Sequence, residues 1–301
     1  MNEFDNPHFA LPPVASGLGP FPHGPYLGTL WKHTASDQDE LWIVGDDRGV
    51  VPFTVHGQVI RLVGDADLVD YRSPLGEGTA DLITNAVSSC PPGMRIIADS
   101  LPRVAADVVA KGLESAGLRM SVGEHTVAAV LQLPDDFEDY LAMIGKKERH
   151  ETRRKRRRYE AALGEVRFVH TPADGRLFDE FVALHRLSPG DKGSFMTKEM
   201  EAYFRELLSL EGWGIDALVD ERDRMVAGGF AFENDDGYFL YNSAFDPVHS
   251  DVSPGVVLIA GLIELAIDRG ARVFDFLKGD ESYKFRLGAE PRQLYVVTAK
   301  T

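Results

Sequence analysis

Three stretches in the second half of the chain carry residue types that could do chemistry. In Phe274–Gly288 (FDFLKGDESYKFRLG), Asp275, Lys278, Asp280, Glu281, Tyr283, Lys284 and Arg286 are interleaved with Phe274, Phe276 and Phe285. Charges bunched where a strand leaves a sheet mark either a solvated turn or the rim of a site, and the interleaved aromatics require some of them to be paired or held in a cleft. Asp275, between two phenylalanines, reads equally as a structural partner for an arginine and as a functional carboxylate, whereas Lys284 reads as functional. Upstream, Ser253-Pro254-Gly255 suits the first turn of a helix, with Ser253 as the cap and Gly270 just past the far end. Free N–H groups there, including those of Gly255 and Val256, would face a phosphate or carboxylate, although any well-capped helix reads the same way.

The third stretch is basic. Residues 146–158 hold nine Lys or Arg against Glu148 and Glu151, a local charge of +7 in a chain whose net charge is -15, so the remainder carries -22. Lys146, Arg149, Arg153 and Arg157 share one helical face. Those cations either pair with the acidic body or hold an outside polyanion: coenzyme A phosphates, a nucleotide-linked sugar or the acceptor stem of a tRNA. The acidic remainder argues against general binding of nucleic acid or anionic membrane, so the partner question is local. His185, Arg186 and Lys192, in the loop region before Phe195, are candidates for binding an acceptor.

The elements that must position these groups follow from periodicity. At 301 residues, with 44% hydrophobic and 26% charged side chains, the chain is long enough for two cores. Residues 1–25 are rich in Pro and Gly and read as an irregular lead-in. LWIVG-DDRG-VVPFTV is a strand, acidic turn and strand, and the same pattern returns at Ile215–Phe232, a hint of duplication. Helices are expected near 80–87, 104–113, 178–185, 199–210 and from Ser253, with strands at RIIAD, TVAAVLQL, EVRFVH, GYFLYNSAF, RVFDFL and QLYVVTA. Pro134–Leu163 reads as one long helix whose part from Gly145 to Arg158 has no apolar side chain and so should not pack in a core. The alternation makes the fold α/β or α+β. The longest near-apolar run, Val256–Ile267, is interrupted by Glu264 and too short to span a membrane. No secretory pattern opens the chain, and the lone Cys90 excludes an internal disulfide or a Cys-rich zinc site. A cytoplasmic protein without a metal is expected.

The order KKERHETRRKRRRYE, LHRLSPGDKGSF, NSAFDP, SPGVVL, FDFLKGDESYKFRLG resembles two-domain members of the GNAT superfamily of N-acetyltransferases. It is most similar to bacterial acetyltransferases of cellulose and polysaccharide biosynthesis, relatives of the Fem-type aminoacyl ligases. The resemblance spans most of residues 130–298. It implies two tandem GNAT-like domains, each a mixed twisted sheet flanked by helices: residues 1–133, a degenerate copy, and 134–301, the acyltransferase, joined by the long basic helix 134–163. It also implies that the donor's pyrophosphate lies before the helix at Ser253, with Gly255 and Val256, and its pantetheine arm along Tyr238–Phe245, at Ser243, Ala244 and Phe245. Arg153 and Arg157 would reach the donor's phosphates. The superfamily's usual phosphate loop begins with Arg or Gln, where this chain has Val252, and Lys284 matches a lysine shared by the Fem-type ligases.

The implied reaction is direct transfer of an acetyl or other acyl group from acyl-CoA to an amine of a small metabolite or activated sugar. Such transfer needs a deprotonated nucleophile, donors for a tetrahedral oxyanion and a proton for the leaving group. Lys284 could stabilise the oxyanion or an anionic group, Tyr283 could protonate the thiolate, and Asp280 or Glu281 could take the ammonium proton through water. Asp280 and Glu281 read equally as an exposed turn. An aminoacyl-tRNA donor, contacting the helix at 146–158, and a non-catalytic binding protein are the alternatives. The oligomeric state is left open.

Overall fold

The computed structural model describes residues 3–64, 67–171 and 175–301. The chain divides into two compact units, Met1–Ala128 with Arg292–Thr301, and Ala129–Pro291.

The first unit begins with two short 3-10 turns that bury Phe4 and Phe9, their rings 5.3 Å apart, so the lead-in is anchored rather than irregular. Helix α1 (Gly24–Thr34) follows, burying Tyr26, Leu27 and Leu30. Strands β1 (Asp39–Asp46) and β2 (Gly49–His56) form the expected hairpin, turned by Asp46, whose Oδ1 accepts the N–H groups of Arg48 and Gly49. Then come β3 (Val59–Leu62), the short β4 (Leu75–Gly76), α2 (Thr79–Ser88), β5 (Arg95–Leu101), α3 (Arg103–Ser115) and β6 (Met120–Gln132). Strand β3 is antiparallel to β2 and parallel to β5, the return being made through α2.

The second unit contains α4 (Phe137–Met143), α5 (Lys146–Leu163), β7 (Arg167–Thr171), α6 (Gly175–Leu187), α7 (Asp191–Phe195), α8 (Lys198–Leu207), β8 (Trp213–Val219), β9 (Met225–Asn234), β10 (Gly237–Phe245), α9 (Pro254–Asp268), β11 (Val273–Lys278) and α10 (Ser282–Arg286). Strands β7 to β10 are successively antiparallel, and β10 is parallel to β11 across the crossover helix α9. The succession β8, β9, β10, α9, β11, α10 repeats β1, β2, β3, α2, β5, α3 with the same strand directions, so the duplication hinted at by the two hairpins is a property of the fold. Strand alternation gives the sheet of this unit two covered faces. Gly229 faces α9 at Leu262, while Phe230 packs on Phe181 of α6 and Phe204 of α8.

Two expectations are corrected. The long helix 134–163 is two helices: Ile144 is extended (φ -78°, ψ 158°) and buried in the core, and Gly145 starts α5 afresh. Both helices lie within the second unit. Nor is α5 free of packing, since Thr152 and Tyr159 are buried and Arg156 bridges to Glu264 of α9 at 2.7 Å. The expected division at 1–133 and 134–301 also differs at the end of the chain. Strand β12 (Glu290–Lys300) pairs antiparallel with β5, Val297 opposite Ala98, which places residues 292–301 in the first unit.

Candidate active site

Strands β10 and β11 are in register only at Tyr238 with Phe274 and Phe239 with Asp275. Beyond that point β10 shifts register against β9 between Leu240 and Asn242, a bulge that adds twist, and continues to Phe245 without β11 beside it. A cleft of about 540 Å³ lies where the strands have parted. Its walls are Ser243 and Phe245 of β10, Ser250 and Ser253–Val256 at the start of α9, one face of α5, Lys192 of α7, and Tyr283, Arg286 and Leu287 around α10.

The start of α9 is unusual. Ser253 sits in the left-handed region (φ 57°, ψ 52°) and makes no side-chain capping bond, contrary to expectation. The amide of Ser253 donates to Ser250 O, those of Val256 and Val257 to Ser253 O, and Pro254 has none. Only the Gly255 N–H is left over, beside Phe245, whose ring a Cβ on Gly255 would meet at 3.2 Å. The backbone therefore offers an anion one donor, not a cradle, and side-chain cations must supply the rest.

Helix α5 supplies two of them. Lys147, Glu151 and Lys155 repeat at four-residue spacing and line the cleft together with Glu148 and Thr152. Glu151 is bound to Arg154 (2.7 Å) and Glu148 faces Arg286 (3.6 Å), whereas Lys147, Lys155 and Lys192 have no ion pair among the described residues. Lys192 keeps much of its surface in solvent but stands close enough to the wall for desolvation to lower its pKa. At the opposite end Tyr283 is held neutral, its phenol pushed up to about 12 first by burial and then by the charge of Glu281.

Of the expected site residues, Ser243, Phe245, Ser253, Gly255, Val256, Lys192 and Tyr283 meet in this cleft. Ala244 points into the interior, 1% exposed. Arg153 and Arg157 are not on its walls: they lie on another face of α5, and Arg153 pairs with Glu138 at 2.6 Å. Lys284 is not on the wall either. It is 4% exposed, with Nζ donating to Lys278 O (2.8 Å) and pairing with Glu281 (2.9 Å). It ties the first turn of α10 to the end of β11, and Gly279 suits the turn because its φ of 121° is one that L side chains rarely adopt. Glu281 is spent on Lys284, which holds its carboxyl below the usual range despite the desolvation that raises it, and Asp280 is exposed away from the cleft.

Asp275 is fully buried. Its Oδ1 accepts the N–H of Leu277 at 2.8 Å and steadies that residue in a left-handed conformation (φ 61°). On the acceptor side His185 is 1% exposed and donates through Nε2 to Asn242 Oδ1 (3.1 Å), the same oxygen that accepts the N–H of Ser243. His185 thus braces the cleft strand from behind. Arg186 is engaged by Met196 O and Glu201, and Phe195 packs on His185 and Phe204.

The residues that sequence reasoning did not bring to the site are Lys147, Glu148, Glu151, Thr152 and Lys155, with Ser250. A signal existed: Thr152 and Tyr159, seven apart, are the uncharged large positions in the basic stretch and mark the face that packs inward.

Residues 146–285 match the family model described as the acetyltransferase (GNAT) domain, and they lie wholly within the second unit. The likeness to the GNAT-type acetyltransferase domain thus covers 140 of the 301 residues. Among solved structures, FemX is similar in fold over 99% of this chain and 95% of its own, with a TM-score of 0.63 and 12% identity. A conserved protein of unknown function from Bacteroides thetaiotaomicron is similar over 92% and 90% (TM-score 0.61, 12% identity), and L-PGS from Bacillus licheniformis over 90% and 85% (TM-score 0.58, 12% identity). No curated protein sequence matches the chain. The likenesses span both units, so the fold shared with these structures extends beyond the residues that match the family model. Among the described residues no helix is long and apolar enough to cross a membrane, and no group of three His, Cys, Asp or Glu side chains is placed to hold a metal ion.

Proposed function

We propose that the GNAT unit transfers an acetyl or other small acyl group from acyl-CoA to an amine of a small metabolite or activated sugar by direct attack. The observation that carries this reading is the meeting, in one cleft, of anion donors without ion pairs among the described residues (the Gly255 N–H, Lys147, Lys155 and Lys192) with the phenol of Tyr283. The volume of about 540 Å³ is that of a small-molecule site. Phosphates of the carrier would meet Lys147 and Lys155 across from Gly255, and the acyl end would run along Ser243 and Phe245 toward Tyr283. The amine nitrogen attacks the thioester carbon, the carbon–sulfur bond breaks, and the thiolate takes the phenolic proton of Tyr283. The ammonium proton leaves to Glu148 or to water, and the phenolate is reprotonated from solvent. Lys284 acts behind the site by holding α10, and with it Tyr283, in place.

A second reading, an aminoacyl-tRNA donor, is favoured by one feature: Lys146, Arg157 and Arg158 are exposed on α5 with no ion pair among the described residues, outside the cleft. Melting the protein in acetyl-CoA, free coenzyme A and uncharged tRNA separates the two. Stabilisation by coenzyme A derivatives that rises with concentration is expected. Stabilisation by tRNA alone, weakening steeply with salt, would transfer the assignment to the second reading, and none with either would remove both.

A further inference from the structure

The first unit has a cavity of its own, of about 330 Å³, between the end of α1 and the β2–β3 hairpin. Its apolar walls are Trp31, Val59 and Leu62. Its polar groups share a face by register: Thr54 stands opposite Arg61, and His56 lies two residues along the same strand.

The acceptors around it are spent. Asp39 receives the N–H (2.8 Å) and Oγ (2.6 Å) of Ser36 on one oxygen and His56 Nδ1 (2.9 Å) on the other. At the end of α1, Leu30 O takes the Thr34 hydroxyl and Trp31 O takes the Ala35 N–H, while Gly64 O takes Arg72. The donors are not spent. Arg61 has no ion pair among the described residues and the Thr54 hydroxyl is buried without a hydrogen-bond partner among them, whereas His56 donates its Nδ1–H to Asp39 and leaves Nε2 as an acceptor. A buried hydroxyl left unbonded is destabilising, and a ligand oxygen would satisfy it.

The geometry points to a binding site in the first unit for a small organic carboxylate. Its carboxylate would lie on the planar fork of Arg61 and accept the hydroxyl of Thr54, with its apolar body against Trp31 and Leu62. An inorganic anion would leave those apolar walls in water. This site is separate from the acyl-transfer cleft and does not depend on the reading of that cleft.

Calorimetric titration of the full chain with acetate, butyrate and benzoate, and with benzamide as the uncharged analogue of benzoate, tests it. Saturable binding of at least one carboxylate is expected, with butyrate or benzoate tighter than acetate and benzamide at least tenfold weaker than benzoate. Binding should be unaffected by coenzyme A, weakened at least tenfold by Arg61→Gln, and weakened severalfold by Thr54→Val. Arg61 is exposed, so its variant should fold. No saturable binding up to about 10 mM, equal binding of benzoate and benzamide, or affinities unchanged in Arg61→Gln would overturn the proposal.

Discussion

Tyr283 and Lys284 are neighbours in sequence with opposite placements: the phenol lines the cleft and the ammonium is buried behind it. If Tyr283 supplies the leaving-group proton, Tyr283→Phe should lower kcat about a hundredfold or more while leaving the melting temperature nearly unchanged. Lys284→Ala should lower kcat by loosening α10. Its loss should be largely absent in a Tyr283→Phe background, since a positioning residue has little left to position once the acid is gone. Additive losses in that double-mutant cycle would instead put Lys284 in direct contact with substrate. His185 gives a test by pH. Burial, and then the charge of Lys192, hold its pKa below the ordinary 6.5, so on acidification the unfolded chain takes up the proton first. Stability should therefore fall as pH drops below about 6.5, and melts of His185→Gln between pH 5 and 8 should show a flatter dependence.

At the scale of elements, α5 carries a sharp expectation. Lys147→Ala with Lys155→Ala should raise KM for the acyl donor about tenfold with little change in kcat, because the two lysines contact the carrier and not the reacting carbon. Arg153→Ala with Arg157→Ala, on the other face, should leave both constants alone. The contact of α9 with β7 is equally specific: a Cβ at Gly261 would fall 2.3 Å from the Phe168 ring, so Gly261→Ala should cost about 1–3 kcal/mol, read by denaturant melts.

These elements also show what the chain disclosed in advance. The two hairpins, the strands of period two and the Pro254-to-Gly270 helix were legible because their alternation and punctuation are local. Helix α1 was not, because Gly24, Pro25 and Gly28 disguise a segment held by the burial of Tyr26 and Leu30. The arginine face of α5 was visible as a cluster, yet a helix does not state which side its neighbours will cover. That was decided by Thr152, Tyr159 and the Arg156–Glu264 bridge. Ser253, Gly255 and Tyr283, which share the cleft, could be nominated because each chemistry has a short signature. The inward burial of Lys284 depends on Lys278 O and Gly279, whose backbone placement no residue type announces.

For the whole molecule, the assignment of residues 292–301 to the first unit has a direct test. Deleting Arg292–Thr301 removes the partner of β5 and exposes its edge, so the truncated chain should lose the cooperative unfolding of the first unit in calorimetry. A fragment ending at Ala128 should behave likewise and recover structure when the missing ten-residue strand is fused to it through a flexible linker.

The same strand bears on how the protein is made. The β5 edge emerges from the ribosome early, but its partner is translated only after Ala129–Pro291 has been synthesised. At roughly 5–20 residues per second that interval is roughly ten to thirty seconds. Throughout it the amino-terminal unit is nascent and open at one edge, a window in which a chaperone, or a neighbouring chain on the same polysome, competes for the place that Leu294 and Val297 will fill.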